Sequence, residues 1–346
     1  MQQRFESIEA VVDALTPDYP VYCLRPAALA RQAQRFIALF PGTVLYAVKC
    51  NPHLLVLDTL FAAGISHFDT ASLSEIAQIA GRYRDATCYF MHPVKNREAI
   101  HAAYFEFGIR DFSLDTHAEL EKILEVTNHA DDLNLYVRVA MSSDKAAYSL
   151  SGKFGVPLEQ AASLLVATRS AANKLGVCFH VGSQCMNPDS YTNAIGLVVD
   201  MLATTDVKLD TLDIGGGFPS VYPGLTPPPL GAYMRAIKKT LKSHPSLENC
   251  RIICEPGRAL VAEGGSVVAR VELRKGNMLY INDGTYGSLF DAGVPGFLYP
   301  VKAIRPEGGV SAEMMEFGFY GPTCDSMDVM KGPFHLPVDI KEGDWI

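Results

Sequence analysis

No stretch of the 346 residues stays apolar long enough to span a bilayer. The start, MQQRFESIEAVVDAL, lacks the basic residues and apolar core of a secretory signal. Positive charge is in deficit: 30 basic against 38 acidic side chains give a formal charge of −8 and a pI near 5.6. Neither nucleic acid nor an anionic membrane surface is therefore an expected partner. Paired cysteine motifs are missing too. The eight cysteines stand at 23, 50, 88, 178, 185, 250, 254 and 324, with no CxxC. No His-rich partner accompanies Cys250 and Cys254, which argues against zinc. Scattered thiols of this kind read as small buried hydrophobes in a reducing compartment, so a cytoplasmic protein is expected. There is no GxxxxGKS or GxxxxGKT loop and no GxGxxG followed by an acid, which sets nucleoside triphosphates and dinucleotides aside.

What the chain does have is an alternation. Short apolar or β-branched runs occur at 43–48, 65–69, 87–91, 110–115, 133–139, 176–181, 211–214 and 251–255. Helix-like segments lie between them: Leu54 to Ala63, Ser72 to Tyr83, Asn96 to Phe107, Thr116 to Val126, Leu158 to Lys174, Ser190 to Ala203 and Leu230 to Ser243. Ser72 ahead of Glu75 reads as a helix-capping pair. Strands that alternate with helices argue for parallel pairing, which needs long crossovers. Eight such units point to an α/β TIM (β/α)8 barrel over residues 25–265, with an open doubly wound sheet as the alternative. From about residue 265 the texture turns to alternating runs and Gly- and Pro-rich turns. That predicts a mainly β, barrel-like second domain of residues 266–346, into which residues 1–24 fold back.

Function in a TIM barrel sits at the C-terminal ends of the strands. The residues there are Lys49, Asp69, His92, Asp115, Arg138, His180, Gly215 to Gly217, and Glu255. One polar residue at a strand end means little, and a lysine there usually snorkels to solvent. Eight around one mouth are harder to dismiss. DIGGGFP (213–219) and EPGR (255–258) follow the seventh and eighth strands, where barrel phosphate sites are often built. Gly215, Gly216, Gly217 and Gly257 expose backbone, and Arg258 can approach an anion. A lysine facing a phosphate cradle suggests pyridoxal 5′-phosphate, bound as a Schiff base and acting as an electron sink. Glu255 is placed to keep the pyridine nitrogen protonated. His180 is placed to stack on the ring, and Ser183 to donate to the phosphate.

These stretches resemble the fold-type III, alanine-racemase-fold, PLP-dependent basic amino acid decarboxylases, which include ornithine, lysine and diaminopimelate decarboxylases. The matching runs are YAVKCNP, FDTAS, KFG, HVGSQ, DIGGGFP, EPGR, NDGTYGS, GPTCDSMD and GDW, in the family's order along nearly the whole chain. The resemblance implies that Lys49 is the Schiff-base lysine, with Asp69 and Arg138 near it and the cofactor. It implies that Glu255 partners the ring nitrogen, that His180 stacks, and that Ser183, Gly215 to Gly217, Gly257 and Arg258 hold phosphate. It further implies a head-to-tail homodimer whose sites are completed by the partner's GPTCDS loop. Cys324 would then reprotonate the substrate carbon, and Asp325 would receive the distal ammonium. Tyr299 is placed with them on the substrate side. Lys153 and Asp328 match a cross-subunit ion pair.

Departures narrow the reading. Ornithine decarboxylases of eukaryotic type carry a second acid in a YDH-like motif, where this chain has FLYPV with Pro300. The GPTCDS loop fits ornithine or lysine better than diaminopimelate, whose second carboxylate Asp325 would repel. The sequence stops at GDWI, short of a family motif whose tyrosine contacts the phosphate, which implies an incomplete C-terminus. The expected reaction is L-ornithine to putrescine and CO2, with L-lysine to cadaverine second. Racemase-like chemistry is disfavoured because racemases of this fold place an arginine where Glu255 stands. A non-catalytic homologue resembling antizyme inhibitors is the remaining class, although Lys49, His180, Glu255 and Cys324 are all retained.

Overall fold

The computed structural model describes residues 3–141, 146–148 and 152–346. The chain divides into two compact units. One comprises Pro26–Ser220 and Pro227–Gly264. The other comprises the residues up to Arg25, Val221–Thr226 and Gly265–Ile346.

The first unit is a closed eight-stranded barrel. Its strands are β1 (Thr43–Ala47), β2 (His67–Thr70), β3 (Thr87–Phe90), β4 (Asp111–Leu114), β5 (Asn134–Arg138), β6 (Lys174–Cys178), β7 (Thr211–Asp213) and β8 (Arg251–Cys254). Every neighbouring pair is parallel, and β8 closes on β1 through Ile253↔Thr43 and Cys254↔Val44. The strands are apolar on both faces because helices cover the outside while side chains fill the inside. Leu45, Tyr89, Met91, Tyr136, Cys178 and Ile253 form one buried cluster drawn from β1, β3 and its exit, β5, β6 and β8. The expected cap forms, with Ser72 Oγ accepting from Glu75 N at 3.3 Å, while Glu75 Oε2 reaches one residue further back to accept from Ala71 N at 2.7 Å.

Three local expectations are corrected. The helix beginning at Leu158 ends at Ala171 rather than Lys174, because Lys174 pairs with Asn134 and opens β6. β6 accordingly ends at Cys178, and His180 lies in the loop beyond it. The helix Pro26–Leu39 was not foreseen; it buries Ala28, Leu29, Ala33 and Phe36.

The second unit is mainly sheet. Helix Ile8–Leu15 leads to the strand Val21–Leu24, which runs antiparallel to β9 (Gly265–Val268). A four-stranded sheet follows, made of β10 (Val271–Lys275), β11 (Met278–Ile281), β12 (Met314–Tyr320) and β13 (Val329–Pro337) in that order. Its buried core includes Leu279, Phe317, Phe319, Met330 and Phe334. Val12, Val268, Ile304 and Trp345 form a second cluster, and Trp345 Nε1 donates to the Pro17 carbonyl at 2.9 Å. Val221–Thr226, expected in the barrel, groups with this unit because Tyr222 stacks on Phe297 and Tyr299.

Candidate active site

The C-terminal ends of parallel barrel strands share one rim. β1 ends at Ala47, and Val48–Cys50 form a tight 3-10 turn that stops the strand. Tyr46 Oη donates to the Asn51 carbonyl at 3.1 Å, fixing that turn from below. Lys49 thus leaves the strand at the rim, and its Nζ donates to Asp69 Oδ2 of β2 at 2.7 Å. Asp69 is 2% exposed while the Lys49 side chain is 59% exposed, so a buried carboxylate holds an amine that solvent and ligands can reach. The packed rim partly desolvates the ammonium, but Asp69 and then Glu255 more than offset this and raise the amine above its ordinary value.

The loop after β7 turns sharply. Gly215 and Gly217 have φ of +67° and +91°, a region costly for any residue with a Cβ. Their carbonyls are taken up elsewhere: Gly215 O accepts from Glu255 N at 2.9 Å, and Gly217 O accepts from Cys185 N at 2.8 Å. The buried Tyr191 hydroxyl donates to Gly216 O at 2.9 Å. Among the described residues no acceptor takes the N–H of Gly216 or Gly217. These two donors are what a bound anion would use. Ser183 and Arg258 meet beside them, with Nη2 to Oγ at 3.5 Å.

His180 Nδ1 accepts from Gly182 N at 3.0 Å, so that nitrogen carries no proton. Burial first, then the charges of Arg138 and Lys49, push its pKa down to about 3. A flat, neutral imidazole results. Arg138, at the end of β5, lies 5.6 Å from the centre of the Phe154 ring, and His92 packs edge-on against that ring at 5.1 Å. Asp115 Oδ2 accepts from Gly155 N at 2.9 Å, tying the β4 exit to the KFG stretch. Glu255 follows β8, and burial, then Asp213 and Asp69, raise its carboxyl well above the usual range.

Lys95, beyond His92, has a fully buried side chain. Its Nζ lies 2.9 Å from Glu119 Oε1 and donates to the carbonyls of Ser113 at 2.5 Å and His92 at 3.0 Å. Burial pushes its pKa down to about 8 against the pull of Glu119. Lys122 also pairs with Glu119, at 2.5 Å. This cluster braces the exits of β3 and β4.

In the second unit Cys324 and Asp325 are exposed. Asp325 Oδ2 accepts from Tyr286 Oη at 2.6 Å, which lowers its carboxyl. Tyr299 lies in the aromatic stack with Tyr222 at 5.9 Å between centroids. Asp328 is 1% exposed. Its oxygens accept from Thr285 N at 2.8 Å, Thr323 N at 3.1 Å and Thr323 Oγ1 at 2.8 Å. Asp328 thus clamps NDGTYGS to GPTCDS. Lys153 lies 4.8 Å from the centroid of the Phe154 ring.

The family described as pyridoxal-dependent decarboxylase, pyridoxal binding domain, matches residues 27–262. The chain belongs to the pyridoxal-dependent decarboxylases. Its cofactor is pyridoxal 5′-phosphate, and the unused N–H groups of Gly216 and Gly217, the Lys49 amine and the flat His180 ring fit that molecule. This decarboxylase family member is 33% identical over 310 residues to a lysine/ornithine decarboxylase of Selenomonas ruminantium, covering 87% of this chain and 76% of the relative. It is 31% identical over 350 residues to antizyme inhibitor 2 of Xenopus laevis, covering 92% and 73%. A lysine/ornithine decarboxylase of Vibrio vulnificus, solved with cadaverine, superposes with a TM-score of 0.80 at 30% identity, over 98% of this chain and 89% of that one.

Sequence reading had passed over Asp213, Lys95, Glu119 and Tyr191. Only Asp213 carried a signal: an acid two residues before a glycine turn often accepts that glycine's N–H. Asp213 Oδ1 accepts from Gly215 N at 2.8 Å.

Proposed function

We propose that the chain removes the α-carboxyl group of a basic L-amino acid, first L-ornithine to give putrescine and CO2, with L-lysine to cadaverine second. The carrying observation is Lys49, an accessible amine held at 2.7 Å by a buried Asp69 on the same barrel rim as the Gly215–Gly217 loop and Glu255. Relatives named lysine/ornithine and ornithine decarboxylase support the substrate class. Bound PLP supplies an aldehyde that captures amines and a ring that accepts the electron pair released with CO2. Lys49 would hold the aldehyde carbon until a substrate amine replaces it, with Asp69 keeping the lysine in place. Glu255 would keep a proton on the ring nitrogen. His180, uncharged, would cover one ring face and exclude water. Ser183, Gly215 to Gly217, Gly257 and Arg258 would hold the phosphate, with Arg138 beside them.

In a homodimer, the partner's GPTCDS loop would present Cys324 to return a proton to the substrate carbon. Asp325 would receive the distal ammonium beside Tyr299. An anion at Asp325 disfavours diaminopimelate, whose far end carries a second carboxylate. All eight cysteines are free thiols, which supports a cytoplasmic setting. No described helix is long and apolar enough to cross a membrane.

CO2 release from ornithine, lysine and diaminopimelate by the PLP-loaded protein tests this reading, and no release from any of them defeats it. The similarity to antizyme inhibitor 2 favours a second reading, a homologue without catalysis. A visible absorbance band that disappears in Lys49→Ala supports the enzyme; a protein that never develops the band supports the second reading.

A further inference from the structure

Behind the candidate site lies a pair of carboxyl groups that no basic side chain bonds among the described residues. Asp213, the last residue of β7, is 0% exposed. Its Oδ1 is satisfied by Gly215 N–H at 2.8 Å, while its Oδ2 meets no donor among the described residues. Glu255 Oε1 is likewise buried without a donor. β7 and β8 pair through Asp213↔Ile253, and Glu255 N donates to the Gly215 carbonyl at 2.9 Å, so the two buried side chains leave neighbouring strand ends and act on each other. Two ionised carboxylates cannot share a hydrogen bond, because each is only an acceptor. A single proton held between Asp213 Oδ2 and Glu255 Oε1 satisfies both buried atoms at once.

We propose that Asp213 is a positioning residue for Glu255: the pair holds one proton, which settles on Asp213 when a cationic ring N–H meets the other oxygen of Glu255. This rests on the reading of Glu255 as the ring-nitrogen partner. The proton moves from one carboxyl to the other, so nothing is taken up or released. Glu255 becomes the anion the ring needs, and Asp213 becomes the neutral donor that holds it in place.

The surroundings favour one retained proton. Asp69 from β2 adds negative charge, Arg138 from β5 opposes it, and Lys49 acts on Glu255. The thiols of Cys178 and Cys254 and the phenols of Tyr89 and Tyr136 complete the ring of titratable neighbours. Burial raises both carboxyls, and on Glu255 the charge of Asp213 adds to it, while the bonds from Gly215 and Glu255 hold Asp213 lower. Lys49 is already held by Asp69.

The test uses the wild type, D213N, D213A and E255Q. Without cofactor, the wild type at neutral pH should show the infrared carbonyl stretch of a protonated buried carboxyl, and D213N should lose it. An asparagine donates from its amide and still accepts from Gly215, so D213N should retain PLP but lose the pH step that the wild type shows as alkali strips the shared proton. D213A should bind PLP roughly ten- to a hundredfold more weakly, the worth of a hydrogen bond to a charged group. Absence of the wild-type band overturns the proposal without needing any variant to fold. A D213N profile that keeps the wild-type step, or a D213A that binds as tightly as wild type, overturns it too. If E255Q keeps the wild-type affinity and absorbance, the underlying reading of Glu255 fails instead, and the proposal falls with it.

Discussion

Replacing Lys95 by methionine separates the cost of burying its charge from the worth of its hydrogen bonds. The side chain is fully buried, and its pKa is pushed from 10.5 down to about 8. Between those values the folded chain binds fewer protons at this site than the unfolded chain, so folding stability rises with pH through that window. Integrating the shift from about pH 7 to about pH 10 gives about 2–3 kcal/mol gained by the wild type and absent from K95M. The variant also orphans the carbonyls of His92 and Ser113, each worth about 1–3 kcal/mol. Glu119 keeps Lys122 and the Lys95 backbone N–H, so it is not left bare. The two effects nearly offset at neutral pH, and K95M falls progressively further behind the wild type in alkali. Urea denaturation of both proteins across that range, followed by far-UV ellipticity, measures the gap, and groups common to both cancel. A gap that stays constant, or narrows as pH rises, refutes the reasoning.

Gly216→Ala places a Cβ 2.5 Å from the Glu255 carbonyl oxygen and 3.2 Å from His180 Nε2, so PLP fluorescence titration should show at least about tenfold weaker binding, with about 1–3 kcal/mol lost from the fold. His180, whose pKa falls from 6.5 to about 3, binds fewer protons folded than unfolded, so its contribution is lost as pH drops through that window. Thermal melts of the cofactor-free protein should therefore decline less steeply in acid for His180→Phe than for wild type. Asp328→Ala orphans donors from Thr285 and Thr323 and should cost about 2–4 kcal/mol in urea denaturation. Cys324→Ala, at an exposed position, should stay within about 0.5 kcal/mol of wild type while slowing product formation.

The barrel was legible because its signal is local and repeated: each strand is a short apolar run and each helix a capped, periodic one. All eight predicted runs became barrel strands. The rim followed directly, since Lys49, Asp69 and Glu255 stand at or just past the end of a run and Arg138 one residue before the end of its own. What stayed hidden depends on meetings between distant segments. Lys95 reads as an ordinary loop lysine in HPVKN until Glu119, from a helix two dozen residues on, closes over it. Asp213 reads as a turn residue until Glu255 arrives from the next strand. Pro26–Leu39 has a clear buried face in Ala28, Leu29, Ala33 and Phe36, but it precedes the first barrel strand and so stands outside the strand–helix alternation. The bonds that Thr285 and Thr323 make to Asp328 were hidden in the same way, because they join two separate loops.

The closing seam of the barrel has a consequence for how the protein is made. Lys49 follows the first strand and Glu255 the last, and those strands become neighbours through Ile253↔Thr43 and Cys254↔Val44. Contacts between such remote segments are the slowest to form, because the loop they close is longest. A nascent chain that has not yet released its eighth strand has the lysine without the acid, and has no glycine cradle before its seventh. The lysine, the glycine loop and the acid thus stand on one rim only once the final strand has been made and the ring has shut.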